Sequence, residues 1–172
     1  MSQQTQNLMK KISLAKIVLN MGIGKSGEPI EIGKKTLAQI TGKKPNTRNA
    51  KKSQRDWGVR KGEPIGVAVT VRGNDATELL KKLLVVKDNK IVEKAFDNEG
   101  NFSFGIKEHI DIPEIKYDPK IGILGLEVSV SLARPGFNIK FNKSKAKVGK
   151  NHRITKNDAI KFLTEEFGVQ IV

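Results

Sequence analysis

The sequence predicts an α+β domain: a mostly antiparallel sheet with helices packed on one face, the other face open, and a basic extension at the C-terminal end. Three observations predict it. Four segments alternate apolar and polar residues with period two, the pattern of strands buried on one side only. Longer segments with apolar residues at helical spacing lie between them. After Pro135 the composition turns to Lys, Asn and Gly, with few apolar residues.

Lys16 to Gly22 sets Ile17, Leu19 and Met21 on one face and Lys16 and Asn20 on the other, with Val18 as the exception. Pro29 can then open a helix, because its missing N–H would be unpaired there anyway. Ile30, Gly33, Leu37 and Ile40 form one helical face, and Gly42 stands where a glycine ends a helix. Asn46 to Ala50 reads as a short polar strand and Lys51 to Pro64 as a long basic loop. Ile65 to Arg72 is the clearest strand: Ile65, Val67, Val69 and Val71 alternate with Gly66, Ala68, Thr70 and Arg72. Asn74 or Asp75 is expected to cap a helix whose apolar positions are Ala76, Leu79, Leu80, Leu83 and Leu84.

Further along, Phe102, Phe104 and Ile106 alternate with Ser103 and Gly105, and Leu126, Val128, Val130 and Leu132 with Glu127, Ser129 and Ser131. Glu108 to Asp118, interrupted by Pro113, is irregular. Thr155 and Asp158 frame an acidic capping box for a last helix, with Ala159, Phe162 and Leu163 as its stripe and Gly168 as its stop. The 172 residues suffice for a single domain with its own core. Within it, 1–12 is expected to be a flexible tail, 13–133 the α+β core, and 134–172 the basic extension with its helix.

The chain has no Cys, which excludes disulfides and thiolate zinc sites. No apolar run approaches a membrane span and no secretory segment opens the chain, so a cytosolic protein with no membrane partner is expected.

The formal charge is +14. It is concentrated in two segments. Residues 42–61 hold eight Lys/Arg and one acid, and residues 134–156 hold eight and none. Together they carry +15, leaving the remaining 129 residues at −1. Two acid-poor basic runs on a neutral body predict a polyanion-binding surface, with nucleic acid as the partner. A solvated face is the bland alternative. The polar side of the strands carries Asn20, Thr70, Arg72, Ser103, Ser129 and Ser131, with Glu127 as its one acid. These short side chains also suit an ordinary wet sheet, but they let an RNA backbone come close. Aromatic rings are missing from that side, so folded RNA read through sugar and phosphate is expected, rather than single strands read by stacking.

Other motifs fail on their chemistry. Gly24-Lys25-Ser26 follows a strand and precedes a helix, but a phosphate-binding loop needs a glycine where Leu19 stands, so nucleotide hydrolysis is disfavoured. His109 and His152 are far apart in sequence, and no metal site or cofactor is expected. Glu108, Asp111 and Glu114 read as a solvated loop rather than acid–base machinery. The expectation is therefore a non-enzyme with no small-molecule substrate. Trp57, the sole tryptophan, either anchors its basic loop on the body or presents its ring to nucleic acid beside arginines.

Five blocks in order resemble the family of universal large-subunit ribosomal protein number five, in its archaeal or eukaryotic type. They are Lys16 to Gly24 (KIVLNMGIG), Ile40 to Pro45 (ITGKKP), Pro64 to Gly73, Gly100 to Glu108 (GNFSFGIKE), and Pro113-Glu114-Ile115 with Tyr117-Asp118. The stretch Ala133 to Phe137 (ARPGF) and the basic run through Thr155 point to that branch. The resemblance implies a structural role on the ribosome in the cytoplasm, binding 5S rRNA through the open sheet face and helping to form the central protuberance.

By position, Asn20, Thr47 and Thr70 would contact 5S rRNA. Lys43 stands where bacterial members often carry Gln, which implies a phosphate contact in its place. Arg48 and Arg72 complete the expected 5S rRNA set. The loop Ser53 to Gly62 matches the segment that reaches peptidyl-site tRNA, with Gln54, Arg55, Trp57, Arg60 and Lys61 as its contacts. Lys140, Lys143, Lys145, Lys147, Lys150 and Arg153 are expected to hold further rRNA phosphates. Neighbouring ribosomal proteins, including a small-subunit bridge partner, are also implied, with no residue assigned to the bridge. The competing reading is a free RNA-binding or RNA-chaperone module, which would not co-sediment with large subunits at high salt.

Overall fold

The computed structural model describes residues 7–24, 26–113, 122–142 and 147–172. In chain order the elements are β1 (Ser13–Gly22), α1 (Glu28–Thr41), β2 (Asn46–Asn49), β3 (Pro64–Val71), α2 (Asn74–Val85), β4 (Lys90–Ile91), β5 (Phe102–Ile106), β6 (Leu126–Ala133), α3 (Lys156–Phe167) and β7 (Gln170–Ile171). Five strands form one antiparallel sheet in the order β2-β3-β1-β6-β5, while β4 and β7 pair in parallel as a separate two-stranded unit.

Register sorts the side chains. Ile17, Leu19 and Met21 lie opposite Val71, Val69 and Val67 on β3, and Ile17 and Leu19 lie opposite Val130 and Val128 on β6. These residues are almost fully buried and meet α1 and α2 on one face of the sheet. All five apolar positions expected on α2 are buried. Gly33 explains itself here. A Cβ on it would lie 2.6 Å from Ile23 Cδ1 and 3.6 Å from Val67 Cγ2, so the missing side chain lets α1 settle close to β3.

The helix ends follow local chemistry in two cases and depart from it in one. Gly42 and Gly168 close α1 and α3 in the left-handed conformation. The Thr155–Asp158 capping box forms in both directions. The expected cap of α2 does not form. Gly73 takes the N-cap position at φ 74°, the helix begins at Asn74, and no side chain caps it. Glycine turns the chain into the helix, which leaves Asp75 in the first turn, where its charge suits the helix dipole.

The C-terminal segment packs into the same core as the sheet. Ile154, Ala159, Leu163 and Val169 are buried there. Gly100 makes this approach possible: a Cβ would lie 2.5 Å from Ile154 Cγ2. At the other end of the chain, β1 starts at Ser13, three residues before the alternation does, across a register shift between Leu14 and Lys16. Residues Leu8–Lys10 form a single 3-10 turn.

Candidate nucleic-acid interface

The α-helices pack into the core, so among the described residues the second face of the sheet stays open except where the extension meets Lys16 and Ser131. Cross-strand pairs build it: Lys16 with Ser131, Val18 with Thr70 and with Ser129, Asn20 with Ala68 and with Glu127, and Ser103 with Ser129. Thr70, Ser103, Glu127 and Ser129 are exposed, whereas Asn20 and Ser131 are half-buried. The acid is engaged, since Asn20 Nδ2 donates to Glu127 Oε2 at 3.1 Å. Arg72 follows Val71 out of β3 and is exposed, and Arg48 sits opposite Gly66. Lys16, Arg48 and Arg72 have no ion-pair partner among the described residues. The surface is thus built of short hydrogen-bonding groups and fringed by available cations.

Two expected contacts lie elsewhere. Thr47 pairs with Val67, a core-face position, so it points to the helix side of the sheet, while its neighbours Asn46 and Arg48 take the open side opposite Ala68 and Gly66. Lys43, just past the end of α1, is ion-paired with Asp75 at the start of α2 at 2.8 Å. The lysine's hydrogen bond, and then its charge, hold the Asp75 carboxyl below its ordinary value. Lys43 and Thr47 line a concavity with Lys34, Lys35 and Lys44 between α1 and β2. The six residues therefore divide into Asn20, Arg48, Thr70 and Arg72 on the open face and Lys43 and Thr47 beside α1. Lys16 was absent from that set, although the alternation of β1 groups it with Asn20.

The basic loop after β2 holds more structure than its composition suggests. Ala50 N–H donates to the Glu63 carbonyl at 2.8 Å, and Gly62 N–H donates to the Ala50 carbonyl at 2.9 Å. Higher up, Gln54 and Val59 exchange backbone hydrogen bonds of 2.8 and 3.1 Å around a 3-10 turn, Arg55–Trp57, closed by left-handed Gly58. Glu63 ties the base: its carboxylate accepts from Ser26 Oγ at 2.6 Å and from Arg60 N–H at 2.9 Å. The Ser26 hydrogen bond, followed by that from Arg60, lowers its pKa. Trp57 is 78% exposed at the tip, so the ring does not anchor the loop on the body. Gln54, Arg55, Arg60 and Lys61 are exposed around it.

In the extension, Lys140, Lys147, Lys150 and Arg153 are exposed, while Lys143 and Lys145 lie outside the described residues. Lys140 is ion-paired with Glu99 at 2.7 Å. Arg134 braces the segment from inside, reaching Asp158 Oδ2 and the Arg153 carbonyl at 3.2 Å each. His109 is buried, its Nδ1 accepting from Leu124 N–H at 3.3 Å, and no group of three or more His, Cys, Asp or Glu suited to a metal ion occurs among the described residues. No helix among them is long and apolar enough to cross a membrane.

Residues 7–60 match the family described as Ribosomal protein L5, and residues 64–162 match the model of that ribosomal family's C-terminus. The chain belongs to the ribosomal protein L5 (uL5) family. Large ribosomal subunit protein uL5 of Nitrosopumilus maritimus is 63% identical over 172 residues, covering 99% of each chain. The protein of the same name from Cenarchaeum symbiosum is 58% identical, over 95% of this chain and 98% of its own. That of Pyrobaculum aerophilum is 46% identical, over 95% and 92%. As a uL5 protein it is a structural component of the large ribosomal subunit in the cytoplasm, partnered by large-subunit rRNA and ribosomal proteins, and it is not an enzyme.

Proposed function

We propose that this uL5 protein binds 5S rRNA through the open face of its sheet, helps to form the central protuberance, and contacts peptidyl-site tRNA through the loop Ser53 to Gly62. One observation carries the reading: a five-stranded sheet leaves most of one face open, its one acid tied to Asn20 and its free charges all positive. Folded RNA needs such a surface, because sugar and phosphate contacts require short donors and acceptors that let the backbone approach. The loop supports the second contact differently. Its base is pinned at the start of β3 by Ser26 and Ala50, and its tip offers a tryptophan among cations, a form suited to a partner that arrives and leaves.

Asn20→Ala and Thr70→Ala each remove one polar contact and should weaken 5S rRNA binding by roughly 1 kcal/mol with the fold intact. Wild-type affinity in both folded variants would sink the open-face reading. Replacing Gln54 to Lys61 by a short Gly-Ser linker should spare 5S rRNA binding and impair retention of peptidyl-site tRNA. Loss of 5S rRNA binding with normal tRNA retention would mean that the two surfaces are exchanged.

A further inference from the structure

At one end of the open face the extension closes over the cross-strand pair Lys16–Ser131 and leaves a pocket of about 390 Å³. That lies within the range of roughly 300–1,000 Å³ typical of small-molecule sites. Its chemistry is two-sided. Phe137, Val148 and Ile154 supply apolar wall, and Lys16, Lys147 and Arg153 supply positive charge.

The walls are held in place. Phe137 meets the His152 ring edge-on at 5.6 Å, and His152 Nε2 lies 2.8 Å from the Pro135 carbonyl. Arg153 Nε donates to the Val148 carbonyl at 3.3 Å, and Ile154 is 1% exposed against Gly100. The one acid on the lining, Glu99, is taken up by Lys140, so Lys16 and Lys147 remain without an ion-pair partner among the described residues.

Phosphate alone has no use for an apolar wall, and an apolar ligand has no use for three cations at its edge. A nucleotide uses both. It also comes from a source already at hand, because Lys16 and Ser131 belong to the open sheet surface on which RNA would lie. We infer that this pocket takes one unstacked nucleotide of the RNA bound on the open face, its base against Phe137 and Val148 and its phosphate between Lys16, Lys147 and Arg153. The inference rests on the proposed RNA-binding role of that face. It adds a point of base recognition to a surface that otherwise offers only backbone contacts. Residues on two sheet strands and on the extension must be brought together to form it, which gives the extension a role beyond added charge.

The test is a methyl NMR titration of the full chain with adenosine and uridine monophosphates, inorganic phosphate and ribose 5-phosphate. The nucleotides should shift the Val148 and Ile154 methyl signals, and the two base-free probes should leave them in place. Equal shifts from all four probes, or none from any, would overturn the inference in favour of a plain phosphate site or no site. A second arm fills the pocket with Val148→Trp while keeping every cation. This variant should bind 5S rRNA roughly fivefold or more weakly, the loss of one stacked base, with its salt dependence unchanged. Wild-type RNA affinity in the folded variant counts against the pocket; if the variant fails to fold, the titration of the wild-type chain still decides. Asn20→Ala and Thr70→Ala report on the open face separately. Unchanged RNA affinity in those two counts against the face, whereas an absent nucleotide response counts against the pocket alone.

Discussion

Replacing Lys16, Arg48 and Arg72 together by alanine is expected to flatten the salt dependence of 5S rRNA binding. Lys16 and Arg48 lie on the open side of β1 and β2, Arg72 just past the end of β3 between them, and none has an ion-pair partner among the described residues. Each can therefore meet a phosphate without first giving up an internal contact. One lost phosphate contact lowers the log–log slope by about 0.7 on a single-strand reference and about 0.9 on duplex DNA, so three remove about 2.1–2.7. Between about 50 and 200 mM salt, the wild-type protein should then lose about 20–40-fold more affinity than the variant. Lys43 is expected to behave differently, because it must leave Asp75, 2.8 Å away, before it meets a phosphate. The comparison protein carries Lys81→Ala, Lys90→Ala and Lys94→Ala. This removes the same charge from exposed positions on α2, on β4 and in the following turn, away from the open face. Fluorescence anisotropy with labelled 5S rRNA at several salt concentrations gives both slopes. Equal slopes for the two triple variants would show that binding follows net charge and not the face that bears it.

Three other expectations test separate parts of the molecule. Thr155→Ala removes half of the capping box of α3 and should cost about 0.5–2 kcal/mol in urea unfolding; an unchanged midpoint would show that the box adds nothing once α3 is packed. Trp57→Ala should leave stability within about 0.5 kcal/mol, because the ring is 78% exposed, yet reduce tRNA retention in the peptidyl site. A large loss of stability would reinstate the ring as an anchor of the loop. Asp75→Asn tests linkage: the Asp75 carboxyl is held below its ordinary value by Lys43, so it binds protons less readily folded than unfolded. Its contribution is present above the ordinary carboxylate range and is lost as pH falls through the lowered folded value. The stability gap between wild type and Asp75→Asn should accordingly narrow on acidification, and a gap independent of pH would rule out the pair as its source.

What was legible in the sequence was what a few neighbouring residues encode. Side chains alternate along a strand, so Ile17, Leu19 and Met21 declared a buried face, and Asn20 and Thr70 an open one, without knowledge of their partners. The capping box of α3 and the glycine stops of α1 and α3 are equally local, each set by backbone groups within a single turn. The family resemblance rested on contiguous blocks for the same reason. The departures arise where distant residues meet. Thr47 faces the helix side because β2 pairs with β3 in one register, and a shift by one residue would have reversed it. Asn74 or Asp75 was expected to cap α2; Asp75 instead holds Lys43, a residue 32 positions away that only the tertiary fold brings near. Ser26 and Glu63 are 37 residues apart, so the loop's composition of cations and glycines could not reveal the clasp at its base. The pocket at the end of the open face draws on β1, β6, the turn before β5 and the extension. Periodicity is a property of one segment, whereas a register, a clasp or a pocket is a property of segments that the chain must first bring into contact.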